Sequence, residues 1–185
     1  DLHSFPTRRS SDLSLFNQCK SLTKLDISNW NTSKVTNMSY MFNLCNSLTS
    51  LNISDWNVSN VTNMEWIFQI CSGMVDLDVS KWDTSKVSNM ANIFRWMTSL
   101  EMLDLGSFDT DQVSSMSNMF YDSSNLKTIY VSDQFVLSGV MWWGGVMMNS
   151  WNMFLWTTTL VWWNWTAYDP EFVDGKYAFY TRPQD

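Results

Sequence analysis

One interval organises this chain. Trp30, Trp56, Trp82 and Phe108 stand 26 residues apart, and the same step separates Val35, Val61, Val87 and Val113. It also separates Met38, Met64, Met90 and Met116, as well as Phe16, Phe42, Phe68, Phe94 and Phe120. Leu25, Leu51, Leu77, Leu103 and Ile129 keep the same register, without a gap from Phe16 to Val131. A fixed period of this size marks tandem supersecondary units, none of which can seal its own apolar face alone.

Each unit carries two hydrophobic rhythms. Leu25-Asp26-Ile27, Leu51-Asn52-Ile53, Leu77-Asp78-Val79 and Leu103-Asp104-Leu105 alternate apolar and polar residues, which predicts a short strand with one buried face. Val35, Met38, Met41, Phe42, Cys45 and Leu48 are spaced by threes and fours, which predicts the buried stripe of a helix. Asn31-Thr32-Ser33-Lys34 lies between them, and Ser33 or Thr36 is expected to cap the helix start. Stacking such units gives a parallel sheet on one side and a row of helices on the other. Strands pack about 4.8 Å apart and helices about 10 Å, so the stack is expected to curve with its strands inside.

The stretch from Leu25 to Phe42 (LDISNWNTSKVTNMSYMF) resembles the unit of the BspA-type leucine-rich repeat family, over about residues 15–180. The resemblance implies an α/β, leucine-rich-repeat-like solenoid with a parallel β-sheet on its inner face and helices on its outer face. It also implies a bacterial cell-surface or secreted protein of the adhesin kind. Where more familiar leucine-rich repeats carry an asparagine ladder, this chain has Trp30, Trp56, Trp82 and Phe108, so an aromatic spine is expected in place of a hydrogen-bonded one.

Tandem units are expected over 14–135, ending in a closing strand at Leu126–Val131. Asn152-Met153-Phe154 repeats the register of Asn118-Met119-Phe120 with eight extra residues, so 136–165 is expected to be a distorted, Trp- and Met-rich last repeat. Residues 166–185 resemble the family's end piece. Relatives are expected to carry glycines where Trp162, Trp163 and Trp165 stand. One base change turns GGG into TGG, so some of these tryptophans are expected to be read errors, and resequencing that returned TGG would refute this. Residues 1–13 resemble, residue for residue, one reading frame of a sequencing adapter, so the native chain is expected to begin near Ser14 within a repeat.

The chain carries 11 Lys and Arg against 18 Asp and Glu, a net charge of −7. Asp1, Asp12, Arg8 and Arg9 cancel within the first segment. An acidic surface without a basic stripe argues against nucleic acid and anionic lipid. The single histidine, His3, lies in the adapter-like segment, so Ser-His and Cys-His nucleophiles and histidine-bearing zinc sites are excluded from the remainder. No cofactor and no small-molecule substrate is expected. Cys19, Cys45 and Cys71 share one position in successive units. Neighbouring helices would hold them too far apart for a disulfide, and no CxxC pair supports zinc, so they read as small buried hydrophobes. Met97 and Ser123 fill the same slot later.

Asp26, Asn52, Asp78 and Asp104 alternate with the buried strand positions and are expected to face outward. Lys24, Ser50, Asp76 and Met102 stand one step outside the first buried strand residue. Together they form the candidate partner-facing surface, either an acidic inner face for a basic partner or cation, or an ordinary solvated sheet. Paired carboxylates there find no closed pocket to perturb them, so catalysis is not expected. The uncharged run from Phe135 to Trp165 is long enough to cross a membrane, yet its glycines, asparagines and threonines and the repeat register favour a folded unit. Two functions follow: a non-catalytic protein-interaction or adhesion module, with host matrix or cell-surface protein as the expected partner, or a spacer array presenting another domain. The variation among Lys24, Ser50, Asp76 and Met102 favours the first.

Overall fold

The computed structural model describes residues 14–135, together with the backbone of 142–143, 146–147 and 179–181. The expectations for 1–13, for the membrane contact of 135–165, for most of 136–185 and for Trp162, Trp163 and Trp165 lie outside those residues. The strands there are β1 (Ser50–Leu51), β2 (Asp76–Leu77), β3 (Met102–Leu105), β4 (Thr128–Val131), β5 (Trp142–Trp143), β6 (Val146–Met147) and β7 (Phe179–Thr181). They form three small sheets: β1-β2 and β3-β4-β7, both parallel, and antiparallel β5-β6. The expected closing strand at Leu126–Val131 is β4, but it is not terminal in its sheet, because β7 pairs with its far edge.

The α/β solenoid with a continuous inner sheet and outer helices is not what the chain forms. Most described residues are turns and irregular segments, and no α-helix occurs among them. The stretch expected to be helical, Val35 to Leu48, is a chain of tight turns. A helix needs each N–H to bond the carbonyl four residues back. Here Met41, Asn43, Cys45 and Leu48 bond three residues back, to Met38, Tyr40, Phe42 and Cys45. The alternate N–H groups leave the unit altogether. Met38, Tyr40, Phe42 and Leu44 donate to Asn63, Glu65, Ile67 and Gln69 at 2.9, 3.1, 2.9 and 2.8 Å. Parallel bridges Asn37↔Asn63, Asn63↔Asn89 and Asn89↔Ser115 hold the same register.

This conformation demands positive φ at Tyr40 and Leu44 (61° and 62°), Trp66 and Ile70 (64° and 58°), Asn92 and Trp96 (60° and 60°), and Asn118 and Asp122 (54° and 56°). A left-handed residue with a Cβ costs about 1–2 kcal/mol and cannot continue a right-handed helix. The inter-unit hydrogen bonds that it permits, each worth about 0.5–1.5 kcal/mol net, offset that cost. Without helices there is no wide side to the stack, so the expected inward curvature loses its premise. The expected N-caps lose theirs too: Ser33 instead donates its own N–H and hydroxyl to Asn31 Oδ1 at 3.1 and 2.7 Å.

The burial pattern holds although the helix does not. Val35, Met38, Met41, Phe42, Cys45 and Leu48 are all buried, and their counterparts Val61, Met64, Phe68, Cys71 and Met74 are sealed completely. Phenylalanines 16, 42, 68, 94 and 120 form a column with ring centroids 5.5–6.0 Å apart and interplanar angles of 2–9°. Trp56, Trp82 and Phe108 are buried beside it, while Trp30 is half-buried. Trp30 and Trp56 stack at 6.3 Å, and Trp82 lies against Phe68 at 6.1 Å. The spine is hydrogen-bonded as well as aromatic, contrary to expectation. The indole N–H of Trp56 donates to the Ile27 carbonyl at 3.2 Å, and that of Trp82 to the Ile53 carbonyl at 3.0 Å.

Candidate functional site

The expected partner-facing residues lie where alternation places them. Lys24, Asp26, Ser50, Asn52, Asp76, Asp78 and Met102 are exposed, and Asp104 is half-buried. Ser50 stands beside Asp76 across β1-β2, and Met102 beside Thr128 across β3-β4. The chain reaches this arrangement because the buried neighbours Leu51, Leu77 and Leu103 fix the parity of each strand. Two exposed apolar side chains stand out, Val75 and Met102, at 60% and 57% exposure. They occupy adjacent rows, since Asp76 aligns with Met102 in the repeat. On the row of Val75, Lys127 pairs with Glu101 at 2.9 Å.

The aspartates of this surface are structural acceptors. Asp26 Oδ1 accepts from the Ser28 N–H and hydroxyl at 3.2 and 2.8 Å, and Asp78 Oδ1 from those of Ser80 at 3.0 and 2.7 Å. Asp104 Oδ1 accepts from the Gly106 N–H at 2.9 Å. These bonds hold the Asp26 and Asp78 carboxyls below the usual carboxylate range, the serine hydroxyl contributing most. Among the described residues no group of three or more His, Cys, Asp or Glu side chains is placed to hold a metal ion.

The same side-chain turn recurs at two further places in the repeat. Asn31, Asn57, Asp83 and Asp109 accept the N–H two residues on, as do Asn37, Asn63 and Asn89. Asn and Asp favour this local bond, which competes with helix. Its sequence signal, an Asn or Asp recurring at fixed places in the unit and often followed two residues on by Ser, was legible but reads equally as helix capping.

Cys45 and Cys71 are buried free thiols and Cys19 is a half-buried one, so no disulfide joins the column. They do more than fill space. The thiols of Cys45 and Cys71 donate to the carbonyls of Phe16 and Phe42, both at 3.1 Å, and the Ser123 hydroxyl makes the equivalent bond to Phe94 at 2.7 Å. Burial pushes the Cys45 thiol up to about 11 and pushes Cys71 up as well, so neither is a nucleophile at neutral pH.

The turn segments carry two sets of aromatic contacts that alternation did not single out. Tyr40 and Trp66, one unit apart, stack at 5.4 Å, and the Arg95 guanidinium lies over the rings of Trp96 at 4.4 Å and Tyr121 at 4.7 Å. Their 26-residue alignment, Tyr40 with Trp66 and Arg95 with Tyr121, is the signal that could have revealed them.

A family model described as "Mycoplasma protein of unknown function, DUF285" matches residues 2–77 and, a second time, 52–141. The two matches overlap over 52–77, the length of one repeat. No curated protein and no solved structure matches the chain.

Proposed function

Since the chain belongs to the DUF285 family, a family of unknown function, we propose that it is a non-catalytic protein-interaction or adhesion module of the BspA type, displayed on a bacterial cell surface. The observation that carries this reading is the contrast between an unvarying interior and a varied exposed row. The successive units bury closely similar apolar sets, whereas Lys24, Ser50, Asp76 and Met102 differ in charge, size and polarity at one aligned and exposed position. A scaffold that repeats its interior while varying one face suits recognition of an extended protein partner. Val75 and Met102 supply the apolar contact in that face, and Asp76 the charge, which favours a partner with basic residues. The acidic balance of the chain argues against nucleic acid, and beyond His3 the chain contains no imidazole for hydrolytic chemistry.

The test is surface binding of the full chain to immobilised collagen, fibronectin and laminin. Saturable binding to one of them, reduced at least about tenfold by Met102→Asp with Asp76→Lys while the unfolding midpoint stays unchanged, is the expected result. Binding to none of the three, or binding that ignores both substitutions, rejects the interaction surface. In that case the spacer reading stands, since the uninterrupted inter-unit hydrogen bonds would serve a rigid array equally well.

A further inference from the structure

We infer that Met102 is an oxidation site, at which a peroxide turns the exposed row from apolar to polar while the fold stays intact. The first observation is selectivity. Of the nine methionines within residues 14–135, eight are at most 2% exposed and Met102 is 57% exposed. A buried thioether meets a dissolved oxidant only when its surroundings open, whereas an exposed one is attacked in the folded chain. The buried thiols compete poorly. Cys45 and Cys71 are held in the protonated form by burial, and it is the thiolate that reacts.

The second observation is the reason for that exposure. Met102 opens β3 and pairs with Thr128 of β4 on one side. The equivalent residue on the other side is Asp76 of β2, but β2 and β3 belong to different sheets. Met102 therefore has a strand partner on one flank only.

The third is what the product does. The sulfur lone pair attacks one peroxide oxygen, an S–O bond forms and the O–O bond breaks. The hydroxide released takes up a proton and leaves as water. Sulfur loses two electrons and the peroxide gains them. A flexible apolar side chain becomes a polar one, and a thiol-dependent sulfoxide reductase reverses the change. At a buried position such as Met38 or Met90 the new dipole would disrupt the core. At Met102 the strand stays seated, because Leu103 and Leu105 are buried and anchor it. What is lost is half of the apolar contact that Val75 and Met102 offer in the exposed face. The effect on binding rests on the interaction surface proposed above, whereas the site of modification does not.

The experiment treats the folded full chain with millimolar hydrogen peroxide at neutral pH. Peptide mass mapping, thermal unfolding and retention on a hydrophobic column follow the reaction. Met102→Leu, which keeps an apolar side chain without the thioether, is treated alongside. Oxidation at Met141, Met147, Met148 and Met153 affects both chains alike and cancels in the comparison. The expected result is a gain of one oxygen at Met102 at least about tenfold faster than at any of the other eight. The unfolding midpoint should match that of treated Met102→Leu, and the unaltered chain alone should shift to earlier elution. Comparable oxidation of a buried methionine, resistance of Met102, or a midpoint that falls only in the unaltered chain overturns the inference. Equal shifts in elution overturn it too. Where a matrix protein binds, oxidation should weaken binding about three- to tenfold, and Met102→Leu should abolish that sensitivity. Binding that ignores the Met102 sulfoxide overturns the switch. Failure of every matrix protein to bind rejects the earlier reading, and mass, midpoint and elution then decide this one.

Discussion

Replacing Trp82 tests how the units hold one another. Its side chain is fully buried, lies against Phe68 of the preceding unit at 6.1 Å, and donates its indole N–H to the Ile53 carbonyl at 3.0 Å. Trp82→Ala removes the ring and leaves both a cavity and a buried carbonyl without that donor. Large-to-small changes of this kind cost about 3–5 kcal/mol. With roughly 2–4 °C of midpoint per kcal/mol for a chain of this size, the loss is about 6–20 °C. Trp82→Phe separates packing from hydrogen bonding. It keeps a ring, as Phe108 does at the equivalent position, and forfeits mainly the N–H, at about 1–3 kcal/mol or about 2–12 °C. Trp30→Ala is the internal control, because Trp30 is only half-buried and should cost less than Trp82→Ala. Thermal unfolding followed by circular dichroism reads all three. If Trp82→Ala leaves the midpoint unchanged, or costs no more than Trp30→Ala, the spine is not a source of inter-unit stability and the reasoning fails.

Two further outcomes follow from the turns and the thiols. Ile70 is a β-branched residue at φ 58°, so Ile70→Gly should relieve about 1–2 kcal/mol of backbone strain, set against the loss of a half-buried side chain. The net effect on the unfolding midpoint should be near zero or favourable, whereas a helix at this position would lose about 1 kcal/mol from the glycine alone, and a clear drop would contradict the turn conformation. Burial raises the Cys45 thiol from about 9 when unfolded to about 11 when folded, so the unfolded state releases its proton first as pH rises. The stabilising contribution is whole below pH 9 and disappears between pH 9 and about 11. Midpoints measured across that window should fall, and fall less in Cys45→Ala; identical slopes would show that the thiol is not responsible.

The parity of the strands, the identity of the buried set and the register of the units were all determined by the sequence. Each depends on hydrophobic side chains recurring at a fixed interval, and burial follows that recurrence whatever the backbone does between them. Met38, Phe42, Cys45 and Leu48 are inside for this reason alone. The backbone path between those residues was decided by tertiary structure. Apolar residues three and four apart suit one face of a helix, but they also suit successive turns closed by bonds three residues back, and local spacing does not separate the two. What separates them is the destination of the alternate N–H groups, which find carbonyls 25 residues further on rather than four residues back. No short window of sequence contains that partner. The same limit concealed the pairs Tyr40–Trp66 and Arg95–Tyr121, each of which spans two units and meets only when turns stack in register.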